Sequence, residues 1–114
     1  MDRKTFNALC AALPCAQASH PSQGDLDAWK VGGKMFATFN QNNTGVSLKT
    51  PDIHTAALLI EMGRAERAPY FHKSWIHVPW GLVDDAEITE RLHTSYRIVR
   101  SGLTKKAQAG LADF

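Results

Sequence analysis

The sequence predicts an α+β two-layer sandwich, an antiparallel sheet with its helices packed on one face. Three observations carry this. Short segments at residues 29–31, 35–39, 46–49 and 75–78 are rich in aromatic and β-branched residues, several of them in strict apolar–polar alternation, as half-buried strands require. Other stretches place apolar residues at helical spacing between recognisable start and stop residues. The strands come in runs joined by Gly- and Asn-rich turns, with no one-by-one alternation with helices, which argues against a parallel βαβ sheet. The expected order is helix, three or four strands, helix, one or two strands, helix, an α-β(3)-α-β(2)-α arrangement. At 114 residues it suits one domain over 1–114.

Each element has a local reason. Asp2 is placed to cap a first helix whose Phe6, Leu9, Cys10 and Leu13 share a face, and Pro14 stops it. Residues 15–27 are rich in Ser, Gln, Gly and Asp and predict a short strand followed by a loop. Trp29 and Val31 then alternate with Lys30, Gly32-Gly33 supplies a turn tolerant of positive φ, and residues 35–39 return as the second arm of a hairpin. After a polar turn at 41–45, Val46 and Leu48 alternate with Ser47 and Lys49. Thr50-Pro51-Asp52 predicts a helix start, with Thr50 as the cap and Pro51 in the first helical position, and the helix runs to Met62 before Gly63. Residues 64–68 are expected to be a charged connector and 69–73 irregular, ahead of a strand stopped by Pro79. Asp84 or Asp85 opens the last long helix, with a stripe of Ile88, Leu92, Tyr96 and Val99, and Gly102 ends it. A short terminal helix from Thr104 to about Leu111 follows. The expected core is Trp29, Val31, Val46, Leu48, Ile76, Val78, Ile88, Leu92 and Val99.

Composition narrows the function classes. With 44% hydrophobic and 21% charged residues, the chain is neither disordered nor built to span a bilayer, since no uncharged apolar stretch nears the roughly 20 residues of a spanning helix. Cys10 and Cys15 match neither a C-x-x-C pair nor a disulfide framework, so two free thiols of a cytoplasmic protein are expected. Arg3-Lys4, the apolar run 6–13 and Ala16-Gln17-Ala18 imitate a secretory leader, but the helical spacing of the apolar residues favours an amphipathic helix. A net charge of +2 is too small to predict a polyanionic partner from total charge. Its distribution is uneven, however. Residues 28–51 hold Lys30, Lys34 and Lys49 and no acid, residues 91–112 hold five basic residues and no acid, and Asp84, Asp85, Glu87 and Glu90 cluster between.

The motifs argue against catalysis. Gly32-Gly33-Lys34 lacks the first glycine of a phosphate loop and is followed by Met35 where such a loop needs Ser or Thr. The histidines 20, 54, 72, 77 and 93 include no i, i+4 pair to hold a metal from one helix, and no nucleophile elbow is present. The expectation is a protein with no metal or cofactor and no enzymatic activity, the remaining alternative being an unrecognised activity centred on the segment from Tyr70 to His77. Acids early and cations late in the last helix follow the macrodipole. The strand lysines are more informative, because Lys30 and Lys49 point away from the helices if Trp29, Val31, Val46 and Leu48 point towards them.

The pattern as a whole resembles the MmcQ/YjbR family. The residues that carry the likeness are Trp29 to Ala37 (WKVGGKMFA), Val46-Ser47-Leu48-Lys49 with Pro51, Ala68-Pro69-Tyr70 running into Lys73 and Trp75, and Ser95-Tyr96-Arg97-Ile98-Val99. The resemblance implies a small bacterial cytoplasmic protein with a fold similar to type III secretion chaperones, described as a double-wing motif and associated with DNA binding. It points to Lys30, Lys34, Lys49 and Lys73 as phosphate contacts, with Trp29 and Trp75 stacking or packing, and to structural roles for Ser95 and Tyr96. The chain departs from the family at Val78-Pro79-Trp80-Gly81, in a loop usually more polar. There Trp80, between Pro79 and Gly81, suggests the alternative of a protein or peptide partner held by the sheet face and this turn.

Overall fold

The computed structural model describes residues 1–20 and 27–114; the loop expected after the first short strand lies partly outside these. Helix α1 (Arg3–Ala11) is followed by strands β1 (Gln17–Ser19), β2 (Ala28–Val31), β3 (Lys34–Phe39) and β4 (Gly45–Lys49). Helix α2 (Ile53–Glu61), strands β5 (Glu66–Arg67) and β6 (Trp75–Pro79), and helices α3 (Asp85–Ser101) and α4 (Lys105–Ala109) complete the chain. The six strands form one sheet in the order β1-β2-β3-β4-β6-β5, and every pairing is antiparallel. The fold is α+β, as the run-wise order of strands and helices predicts.

Register sorts the sheet into rows. Ala18, Trp29, Ala37, Leu48, Ile76 and Arg67 are cross-strand partners, and Phe39, Val46 and Val78 continue their face. This is the core face, where Ala37, Val46, Leu48 and Val78 are fully buried with Phe6 and Cys10 of α1, Ala56 and Leu59 of α2, and Ile88, Leu92 and Tyr96 of α3. The opposite row runs across all six strands as Ser19, Ala28, Thr38, Ser47, His77 and Glu66. Phe36 and Ala37 are both buried, against strict alternation, because the register shifts between Trp29 and Lys30 and leaves Phe36 as an extra residue of β3.

The helices end where side chains let them. Asp2, Asp52, Asp84 and Thr104 each accept a backbone N–H three residues on. At α2 this corrects the expected start: Asp52 is the cap, and Thr50 instead donates to the carbonyls of Ser74 and Asp52, tying the end of β4 to β6. Gly63, at φ +74, is the left-handed residue that ends α2. Two further corrections concern the connector, of which Glu66 and Arg67 pair with β6, and the core. There Trp29 and Val99 pack only partly buried at the rim, while Ser95 is fully buried. No helix among the described residues is long and apolar enough to cross a membrane.

Candidate nucleic-acid interface

Lys30, Lys34, Lys49 and Trp75 meet at one end of the sheet. Lys30 is partnered with Gln17 and Met35, and Lys49 with Trp75, so these residues form the cross-strand pairs next to the small polar row. Lys34 opens β3 at the hairpin turn. Lys30 on β2 and Lys49 on β4 have β3 between them. Lys34, Met35, Lys49 and Trp75 line a cavity of about 330 Å³ with Ile98, Val99 and Gly102 of α3. No ion pair among the described residues engages Lys34 or Lys49.

The cavity exists because β3 and β4 part there. Their pairing stops at Ala37 and Leu48, and the buried Ser95 hydroxyl fills the gap, donating to the Phe36 carbonyl at 2.6 Å and accepting the Lys49 N–H at 2.9 Å. Ser95 therefore fixes the backbone from which Lys49 projects. Tyr96 beside it packs edge-on against Phe36 at 5.2 Å and donates its hydroxyl to the Pro14 carbonyl. The hairpin is seated in turn: Gly32 has φ +57, and a β-carbon on it would lie 2.6 Å from Leu103, just after α3. The two acid-free stretches of the sequence thus meet here, residues 28–51 supplying the strands and the end of α3 with Leu103 coming from 91–112.

The remaining sequence-predicted residues lie elsewhere. Trp29 is on the helix-covered face and gives its indole N–H to Asn7 of α1 at 3.0 Å, so it packs. Trp80, the expected partner contact, turns back onto Phe6 and Phe39, at centroid distances of 5.5 and 6.5 Å, and donates to the Asn43 carbonyl. The indole is only partly buried at the Pro79–Gly81 turn. Lys73 lines a different cavity of about 430 Å³ beyond Trp75, between α2, β5 and the loop 68–74. Trp75 stacks on Phe71 at 5.1 Å and borders both cavities. Sequence reasoning missed Met35 and Ile98, because the parting of β3 from β4 leaves no mark in the strand pattern.

The titrating groups of the sheet face are modest. His77 bonds through Nδ1 to Ser47 and through Nε2 to Thr44, at 3.2 and 3.4 Å, and burial holds it below its ordinary value although Glu66 opposite pulls it upward. Burial also drives the Cys10 thiol far above its ordinary range, while Cys15 is exposed. Among the described residues no three His, Cys, Asp or Glu side chains converge to hold a metal ion.

Sheet order, helices on one face and a lysine-bearing end define a small α+β sheet-and-helix domain. The YjbR family model matches residues 11–98, and the chain belongs to the YjbR family. Its fold is similar to the crystal structure of Deinococcus radiodurans protein DR2400, which carries the domain DUF419; the TM-score is 0.78 at 23% identity, over 95% of this chain and 86% of that one. No curated protein matches the chain.

Proposed function

We propose that this protein binds DNA weakly and without sequence preference, through phosphate contacts made by Lys30, Lys34 and Lys49, and that it acts by binding rather than by catalysis. The observation that supports this is the gathering of those lysines on three adjacent strands at one end of the sheet, beside the C-terminal end of α3. Lysine is a point charge on a flexible stem, suited to phosphates and poor at reading base edges. Trp75, at the end of the same row, offers an aromatic surface to a frayed or single-stranded base. A cytoplasmic setting accords with this proposal.

Three neutralised phosphates give a slope of log K against log salt of about −0.9 × 3, or roughly −3. Affinity then falls about 40-fold between 50 and 200 mM salt. Fluorescence anisotropy of a short labelled duplex measures both quantities. The wild type is expected to bind at 50 mM salt with that slope, and the Lys30, Lys34 and Lys49 triple alanine variant to lose binding. Absence of binding at 50 mM, or equal binding by the triple variant, overturns the proposal.

A further inference from the structure

The cavity between α2, β5 and the loop 68–74 is independent of the lysine row and has a different character. Its volume of about 430 Å³ lies in the range of sites for small organic ligands. Ile53, Ala57 and Ile60 of α2 form one wall, and Ala68 with the stacked Phe71 and Trp75 forms the other. Helix α2 is apolar around most of its circumference: Ala56 and Leu59 face the core while Ile53, at 45% exposure, faces the cavity.

The polar groups around this apolar space are nearly all donors. Arg67 and Lys73 are cations with no ion pair among the described residues. His72 accepts the Ser74 backbone N–H at Nδ1, 3.1 Å away, so its neutral ring carries the proton on Nε2 and is a donor there. Glu61 is the one acid of the lining. An apolar slot with an aromatic wall, rimmed by a guanidinium, an ammonium and an imidazole N–H, complements a ligand with an apolar ring-bearing body and a single anionic head. From this charge complementarity and size we infer that the cavity binds a small amphipathic organic anion, with the ring against Ile53, Ile60 and the Phe71–Trp75 pair and the head between Arg67 and Lys73.

The test uses the full chain and two matched dyes, 8-anilinonaphthalene-1-sulfonate and its uncharged parent N-phenyl-1-naphthylamine. The sulfonate is expected to bind one per chain, at least tenfold more tightly than the neutral dye. Ala57→Trp fills the slot and should abolish binding of both. Ile53→Glu, at a position 45% exposed, places a carboxylate at the mouth and should weaken the sulfonate at least tenfold more than it weakens the neutral dye. Arg67→Gln with Lys73→Gln should do the same. Thermal melts of each variant separate loss of the site from loss of the fold. Equal affinity for the two dyes, several sulfonates per chain, or sulfonate binding undiminished in Ile53→Glu overturns the inference. Displacement of the dye as the chain self-associates, followed by sedimentation, also overturns it and assigns the α2 face to a second copy.

Discussion

Replacing Ser95 by alanine removes one oxygen and leaves two backbone groups without partners. The Phe36 carbonyl, buried under α3, loses the hydroxyl donor at 2.6 Å, and the Lys49 N–H loses its acceptor at 2.9 Å. A buried polar group left unsatisfied costs about 1–3 kcal/mol. The carbonyl should incur most of that, and the partly buried Lys49 amide less, because water reaches it. A total of about 2–4 kcal/mol is expected, which for a domain of this size lowers Tm by roughly 10 °C. Urea unfolding gives the free energy. Hydrogen exchange gives the location, with the Lys49 amide exchanging faster by a factor of about 30 for each 2 kcal/mol of protection lost. Because β3 and β4 are already parted at this level, nothing in the ladder replaces the missing oxygen. A loss below about 1 kcal/mol, with Lys49 exchange unchanged, would refute the claim that this hydroxyl holds the two strands in place.

Gly32→Ala should destabilise more than Gly33→Ala in parallel melts. Both residues have positive φ, but only at Gly32 does an added β-carbon meet Leu103, at 2.6 Å, and equal losses would contradict that packing. His77 gives a pH dependence. Its folded pKa lies below the ordinary 6.5, so the unfolded chain takes up the proton first; its contribution is complete above about pH 6.5 and is lost as pH falls towards the lower folded value. His77→Gln should therefore flatten the stability profile just below pH 6.5, and an unchanged profile would exclude His77 as its source. A maleimide should label the native protein once, at Cys15, and twice after denaturation, since Cys10 is buried with its thiol held protonated; native labelling at Cys10 would show that α1 opens.

The elements with strong local signals were legible in the sequence. Asp2 and Gly63 mark helix ends by chemistry that needs no tertiary partner, and Trp29, Lys30 and Val31 alternate as a strand should. What escaped depends on contacts between distant segments. Thr50 and Asp52 are both competent caps, and the choice fell to Asp52 because the Ser74 carbonyl, brought close only by β4 pairing with β6, takes the Thr50 hydroxyl. Glu66 and Arg67 carry no strand pattern, yet β6 has an open edge there and two residues fill it. Trp80 flanked by Pro and Gly suggested a partner contact, and its packing on Phe6 and Phe39 involves neighbours the linear sequence cannot display. Of the candidate lysines, Lys30 and Lys49 fall on the strands their alternation predicts, β2 and β4. Lys73 was grouped with them by resemblance, and the loop carries it to the far side of Trp75.

The small net charge conceals how the charges are used. At the start of α3 the acids serve the fold: Asp84 caps the helix, Asp85 pairs with the terminal amine at 3.0 Å, and Glu87 receives both Arg64 and Arg91. The Arg64 guanidinium holds the Glu87 carboxyl below the usual carboxylate range, as its largest influence. Asp85 and Glu87 are thus ion-paired where they stand. Seventeen residues later, about 25 Å along the axis, α3 ends beside Lys34 and Lys49, which no described ion pair engages. That distance exceeds two Debye lengths at physiological salt, so the acidic end does not cancel the field a phosphate meets at the lysine end. A chain with a formal charge of +2 thus presents an approaching polyanion with a local surplus set by strand register and by Ser95, which is why position, and not total charge, governs the binding proposed for it.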